Sequence, residues 1–179
     1  MNLPNRLTVL RVCMVPVFVV FMLWNGLGSS AKYVAAVIFI LASMTDWLDG
    51  YLARKNNLVT DFGKFMDPIA DKLLVCSAMI CLVEKGALPA WIVIIIIGRE
   101  FIISGFRLVA SDKGVVIAAS YWGKFKTVSQ MLMVILLILD LGGVFNTIAQ
   151  VLIWIALMLT VVSLVDYMVK NRSVLSGDI

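Results

Sequence analysis

The sequence predicts an all-α fold, an integral membrane bundle of six transmembrane helices with a short interfacial N-terminal helix, and three observations predict it. Of the 179 residues, 62% are hydrophobic and the mean hydropathy is +1.03, against roughly 45–50% apolar residues in a soluble domain. The apolar residues gather into six segments, several of which reach the ~20 residues that a bilayer requires. The basic residues collect on alternate connections, as they do in polytopic membrane proteins.

The segments run over residues 7–24, 33–55, 62–85, 88–111, 124–141 and 146–170. The first opens on Pro4 and Asn5 and carries Arg6 and Arg11 on an otherwise apolar run. Its first two turns are expected to lie in the membrane interface before the helix enters the bilayer. It shows no small-residue cleavage site, so it is read as part of the mature protein. The punctuation is short: Asn25–Gly28, Asn56–Asn57, Lys85–Pro89, Asp112–Gly114 and Gly142–Gly143. Connections of this length imply antiparallel neighbours in a single domain over 1–179.

Arg6, Arg54, Lys55, Lys113, Lys124, Lys126, Lys170 and Arg172 stand at the N-terminus, at alternate connections and at the C-terminus, while the opposite side holds Lys32 and Lys85. By the positive-inside rule both termini are cytoplasmic, the protein is multi-pass in the cell membrane, and the number of spans is even. The net charge of +4 thereby reads as a marker of topology, membrane lipids and an anionic substrate, with no nucleic acid as partner. Cys13, Cys76 and Cys81 all fall in apolar stretches, where thiols behave as small hydrophobes and suggest neither a disulfide framework nor a zinc site. The chain has no histidine. Polar chemistry must rest on other side chains, because the commonest metal ligand and general base is missing.

The chemistry concentrates where the second segment ends and the third begins. Asp46 and Asp49 are three residues apart, and Asp67 and Asp71 are four apart; both spacings put two carboxylates on one helix face. A tight turn near Asn56-Asn57 lets the two faces meet, so four carboxylates converge. Each aspartate at the centre of a spanning helix would cost about 2.5–3.5 kcal/mol on insertion scales. The cost falls because Asp46 lies only about 13 Å from the helix end at Lys55, at 1.5 Å per residue, and because divalent cations would neutralise the remainder. Oxygen donors without His or Cys favour Mg²⁺, Mn²⁺ or Ca²⁺ over zinc. Simple salt bridges to Arg54, Lys64 and Lys72 are the plainer alternative. They leave the regular spacing unexplained, as well as Gly50 and Gly63 beside the acidic pairs. Those glycines suit close approach by a phosphate or, equally, helix packing.

Asp46-x-x-Asp49-Gly50-x-x-Ala53-Arg54, eight residues, then Gly63-x-x-x-Asp67-x-x-x-Asp71 resembles the signature of the CDP-alcohol phosphotransferase family. The likeness extends to chain length, the six-helix layout and the opening Asn2-Leu-Pro-Asn-Arg-Leu-Thr8. Gly98-Arg99-Glu100 through Arg107, and Gly123-Lys124-x-Lys126-Thr127, resemble the members that take glycerol 3-phosphate. The resemblance implies transfer of the phosphatidyl group of CDP-diacylglycerol to glycerol 3-phosphate, with release of CMP. It also implies two Mg²⁺ or Mn²⁺ ions held by Asp46, Asp49, Asp67 and Asp71, with Asp71 doubling as the base for the attacking hydroxyl. Asp49, Gly50, Ala53, Arg54 and Gly63, with Thr60 and Asp61, are implied as contacts to the nucleotide, and a homodimer as the working form. The acceptor's phosphate needs a cationic pocket, for which Arg99, Arg107, Lys124 and Lys126 are the candidates; snorkelling to the interface or pairing with Glu100 is the plainer role for each, and topology for Lys124 and Lys126. The motif reports the donor more than the acceptor, so inositol phosphate, serine or phosphatidylglycerol remain alternative acceptors. Outside the class, a divalent-metal transporter is the alternative.

Overall fold

The computed structural model describes the backbone of residues 3–24, 26, 28, 30–55, 61–112 and 121–172; the side chains at 3, 4, 46–55, 61–65 and 112 lie outside the described set. Six α-helices follow in order: α1 Leu3–Leu23, α2 Ser30–Lys55, α3 Asp61–Glu84, α4 Ala90–Asp112, α5 Tyr121–Leu139 and α6 Gly143–Lys170. Among the described residues there is no strand. Each helix covers one of the six apolar segments.

Among the described residues, three helical stretches are long and apolar enough to cross a membrane by themselves: Asn5–Leu23, Tyr121–Leu139 and Gly143–Lys170. In α2 the described apolar stretch is Ser30–Thr45, and the acidic signature follows it in the sequence. Helices α3 and α4 are likewise interrupted, by Asp67, Asp71 and Lys72 in one and by Arg99, Glu100 and Arg107 in the other. The chain is thus an all-helical membrane protein whose signature aspartates and candidate arginines sit on the helices that are least like plain spans. At about 1.5 Å per residue, the 28 residues of α6 reach about 42 Å, beyond the ~30 Å hydrocarbon core.

The helix ends follow local chemistry. Helix α3 stops in a glycine cap: Gly86 takes a φ of +70°, its amide donates to Val83 O at 2.9 Å and that of Ala87 to Leu82 O at 2.9 Å. These are the paired bonds of a Schellman motif. Between α5 and α6 the chain passes through positive φ at Asp140 (41°), Gly142 (79°) and Gly143 (53°). The left-handed conformation is inexpensive at the two glycines and tolerated at the aspartate.

Two compact units make up the chain, one of Met1–Ala87 with Val134–Leu141 and the other of Leu88–Met133 with Gly142–Ile179. In the first, α1 packs along both α2 and α3, which touch one another much less. Buried alanines line α2 (Ala31, Ala35, Ala36 and Ala42) beside the fully buried Phe39. Such small residues let membrane helices approach closely. The ring of Phe39 meets that of Phe18 from α1 at 5.9 Å between centroids. In the second unit α4 packs on α6, with Ile92, Ile96 and Ile103 buried on one helix and Ala149, Ile153, Ala156 and Thr160 on the other.

Helix α1 runs unbroken from Leu3 to Leu23, so the first two turns, expected at the membrane interface, are continuous with the rest of the segment. Its early polar residues Asn5, Thr8 and Arg11 are buried because they face α2 and α3.

Candidate active site

Asp67 and Asp71 lie one turn apart in the first half of α3, both half-buried. The four-residue spacing that puts them on one face is kept because the helix continues through both. Pro68, exposed, follows Asp67 without breaking that helix. Thr8 Oγ1 donates to Asp67 Oδ1 at 2.5 Å, and Asp71 turns Oδ1 into the interior, out of reach of solvent. Asp46 and Asp49 keep their three-residue spacing on the helical backbone of α2. Their side chains lie outside the described residues, as do those of Gly50, Ala53, Arg54, Asp61 and Gly63, and Thr60 falls wholly outside. Among the described residues no three acidic, thiol or imidazole groups come together, a set that includes only two of the four signature aspartates.

The donor chemistry nonetheless suits a hard divalent cation. The signature supplies carboxylate oxygens, and the chain has no histidine. The described pair is partly withdrawn from water, where a neutralising cation is worth most.

Sequence reasoning missed the contacts that α1 makes with α2 and α3. Arg11 is fully buried and its Nε donates to Ala42 O at 3.2 Å. Thr45 Oγ1 donates to the same carbonyl at 2.6 Å. A lone threonine and an arginine near a terminus give no pattern from which these contacts could be read.

In the second unit, two of the four cations proposed from sequence come together on one carboxylate. Glu100 Oε1 accepts from Arg99 Nη1 at 2.9 Å and from Lys126 Nζ at 2.5 Å. All three are largely buried, with 10%, 3% and 18% of the side chains of Arg99, Lys126 and Glu100 exposed. Arg99 Nε also donates to Ser163 Oγ on α6 at 3.2 Å. Arg107, eight residues along α4, is exposed and stands over the ring of Tyr167, 5.7 Å from its centroid. Ser163 and Tyr167 are four apart on α6, so one face of that helix meets both arginines. The phenol oxygen of Tyr167 is buried and has no hydrogen-bond partner among the described residues. Lys124 is exposed over Tyr121, 5.3 Å from the ring centroid, and does not join the pair on Glu100. Ser163 and Tyr167 were not singled out from the sequence, since neither carries a motif of its own, whereas pairing with Glu100 was one of the plainer roles weighed for the arginines.

Ionisable side chains half-buried in apolar helices at one-turn spacing define a class: a membrane protein that handles a polar substrate or an ion within its helices. The chain belongs to the CDP-alcohol phosphatidyltransferase family, whose model matches residues 1–162. It is 46% identical to the CDP-diacylglycerol–glycerol-3-phosphate 3-phosphatidyltransferase of Bacillus subtilis, over 95% of each chain. It is 44% identical to a probable phosphatidylglycerophosphate synthase of Mycobacterium tuberculosis H37Rv, over 94% of this chain and 81% of that one. With the Haemophilus influenzae CDP-diacylglycerol–glycerol-3-phosphate 3-phosphatidyltransferase it shares 40% identity, over 93% and 91%.

Proposed function

We propose that this protein transfers the phosphatidyl group of CDP-diacylglycerol to glycerol 3-phosphate, giving phosphatidylglycerophosphate and CMP, at the cytoplasmic face of the cell membrane. The observation that carries this reading is the unbroken acidic signature from Asp46 to Asp71 in a chain 46% identical, over 95% of its length, to a protein named for that reaction.

Asp46, Asp49, Asp67 and Asp71 hold two Mg²⁺ or Mn²⁺ ions, which when bound polarise the phosphoryl oxygens and stabilise the departing CMP. Gly50, Ala53 and Gly63 leave room for the nucleotide, with Thr60 and Asp61 beside it, and Arg54 pairs with one of its phosphates. Asp71 accepts the proton of the attacking hydroxyl; in a chain without histidine a carboxylate is the available base. Arg99, Arg107, Lys124 and Lys126 take the acceptor's phosphate. The Glu100 bridge supports this for Arg99 and Lys126, because it holds two cationic heads in a fixed, partly dry setting. The basic residues on alternate connections support a cytoplasmic site, which the soluble acceptor reaches from the cytosol while the lipid donor arrives sideways through the bilayer. A single domain working as a homodimer completes the reading.

Purified protein incubated with CDP-diacylglycerol, Mg²⁺ and each acceptor in turn tests it, with CMP followed. Release that depends on glycerol 3-phosphate is expected. Release with inositol phosphate and none with glycerol 3-phosphate would refute the acceptor. Failure to release CMP with any acceptor would refute the reaction.

A further inference from the structure

Three polar residues, Asn5, Thr8 and Arg11, follow one another at three-residue spacing on α1, and all are buried, with 8%, 0% and 0% of their surface exposed. The same helix face continues as Val15, Phe18 and Met22, apolar and equally buried. Packing alone would be met by apolar residues throughout. Polar ones in the interior of a membrane protein are costly and call for a reason.

The reason lies in what they hold. The Thr8 hydroxyl donates to Asp67 on α3. Arg11 donates to the carbonyl of Ala42 on α2, which in a helix is the acceptor for the amide four residues on, that of Asp46. One straight face of α1 thus grips the turn that leads into the first acidic pair and a carboxylate of the second. Helices α2 and α3 make little contact with each other and extensive contact with α1, so their separation is set largely through α1.

We propose that the Asn5–Thr8–Arg11 face of α1 is a positioning element of the acidic site, in which Thr8 orients the Asp67 carboxylate for cation binding and Arg11 fixes the α2 turn before Asp46. This rests on the reading of Asp67 as a metal ligand. A hydroxyl that donates to one carboxylate oxygen restrains rotation about the last side-chain bond, so the second oxygen is presented in one direction. Loss of such a partner of a ligand typically lowers metal affinity by about 10–100-fold.

The test is Mn²⁺ titrated into the purified, metal-stripped full chain in lipid nanodiscs, with free Mn²⁺ read by electron paramagnetic resonance. The wild type is compared with Thr8→Val, Thr8→Ser and Asp67→Asn. Thr8→Val keeps the shape and removes the donor, and is expected to weaken Mn²⁺ binding by about tenfold or more. The same variant should lower kcat while leaving KM for glycerol 3-phosphate within about threefold, because the defect lies in the metal site. Thr8→Ser restores the donor and should return both values towards wild type. Wild-type Mn²⁺ affinity in Thr8→Val, with affinity lost in Asp67→Asn, would overturn the role of Thr8 and leave Asp67 a ligand. Thr8→Ser as weak as Thr8→Val would also overturn it, since the missing methyl rather than the hydroxyl would then matter. A wild type that binds no Mn²⁺ would overturn this proposal and the metal reading together. If the valine variant does not accumulate in the membrane, Thr8→Ala is read by the same criteria.

Discussion

Asp67 and asparagine have nearly the same shape, and only the charge differs. Thr8 can still donate to the amide oxygen of Asp67→Asn, so packing at that point survives while the anionic donor is lost. Turnover should fall by about 10²–10³-fold, the scale of losing one electrostatic contact to a transition state. The amount of protein in the membrane should not change. Near-normal turnover in a CMP-release assay would count against metal ligation by this residue. Glu100 calls for the opposite experiment, one on stability. It sits between Arg99 and Lys126 with most of its side chain buried, so Glu100→Gln leaves two like charges side by side without their shared counter-charge. Breaking a buried ion pair from one side costs about 3–5 kcal/mol. Since Glu100 keeps some exposure, the lower end applies, and the Tm of the detergent-solubilised protein should drop by about 5–10 °C. An unchanged Tm would mean that the two cations are already solvated. The acidic spacing was readable from sequence because helical period alone predicts which carboxylates share a face. An arginine paired with Glu100 was among the roles weighed from the sequence, but the Lys126 half of the bridge was not, because it lies 26 residues away and the closeness of α4 and α5 at that point is a tertiary fact.

At the level of helices, hydropathy located all six. The segment drawn at 33–55 is the helix Ser30–Lys55, and that at 88–111 is Ala90–Asp112. Apolar runs broken by Gly, Pro and Asn report such boundaries directly, since each break has a local backbone cause. Helix α1 shows where local reasoning stops. Arg11 on an apolar run gives no sign, from its own helix alone, that its side chain is fully buried and donates to a neighbour 31 residues on. The alanine face of α2 is the other half of that contact. Ala35 is fully buried, and Val37, two residues along, is 54% exposed. Ala35→Leu adds volume where there is no gap, which costs about 1–3 kcal/mol, and it pushes the helices of the first unit apart. The expected result is a lower Tm together with a loss of turnover, while Val37→Leu leaves both unchanged. Equal behaviour of the two variants would show that close packing on this face of α2 is not what holds the unit together.

Orientation is a property of the whole molecule and rests on charge. Eight Lys and Arg residues are assigned to the cytoplasmic side, against Lys32 and Lys85 opposite, and each one that reaches the surface is worth about 1 kcal/mol near an anionic leaflet. That bias greatly exceeds thermal energy, so a single orientation should dominate. The helix count is more open to test, because among the described residues three stretches are apolar and long enough to cross without help. For the other three to cross, they would have to bury their ionisable residues against protein, as Arg99 and Glu100 of α4 do with Lys126 of α5. Alkaline phosphatase, active only outside the cytoplasm, distinguishes the possibilities when fused at successive points. Fusions after Gly86 and Gly142 should be active, and fusions after Lys55, Lys113 and Arg172 inactive. This alternation requires all six helices to span. An active fusion after Arg172 would reverse the orientation or remove a span. Matching activity on both sides of α4 would show that its charged middle keeps it from crossing, and would move the cationic cluster away from the cytoplasmic site proposed for it.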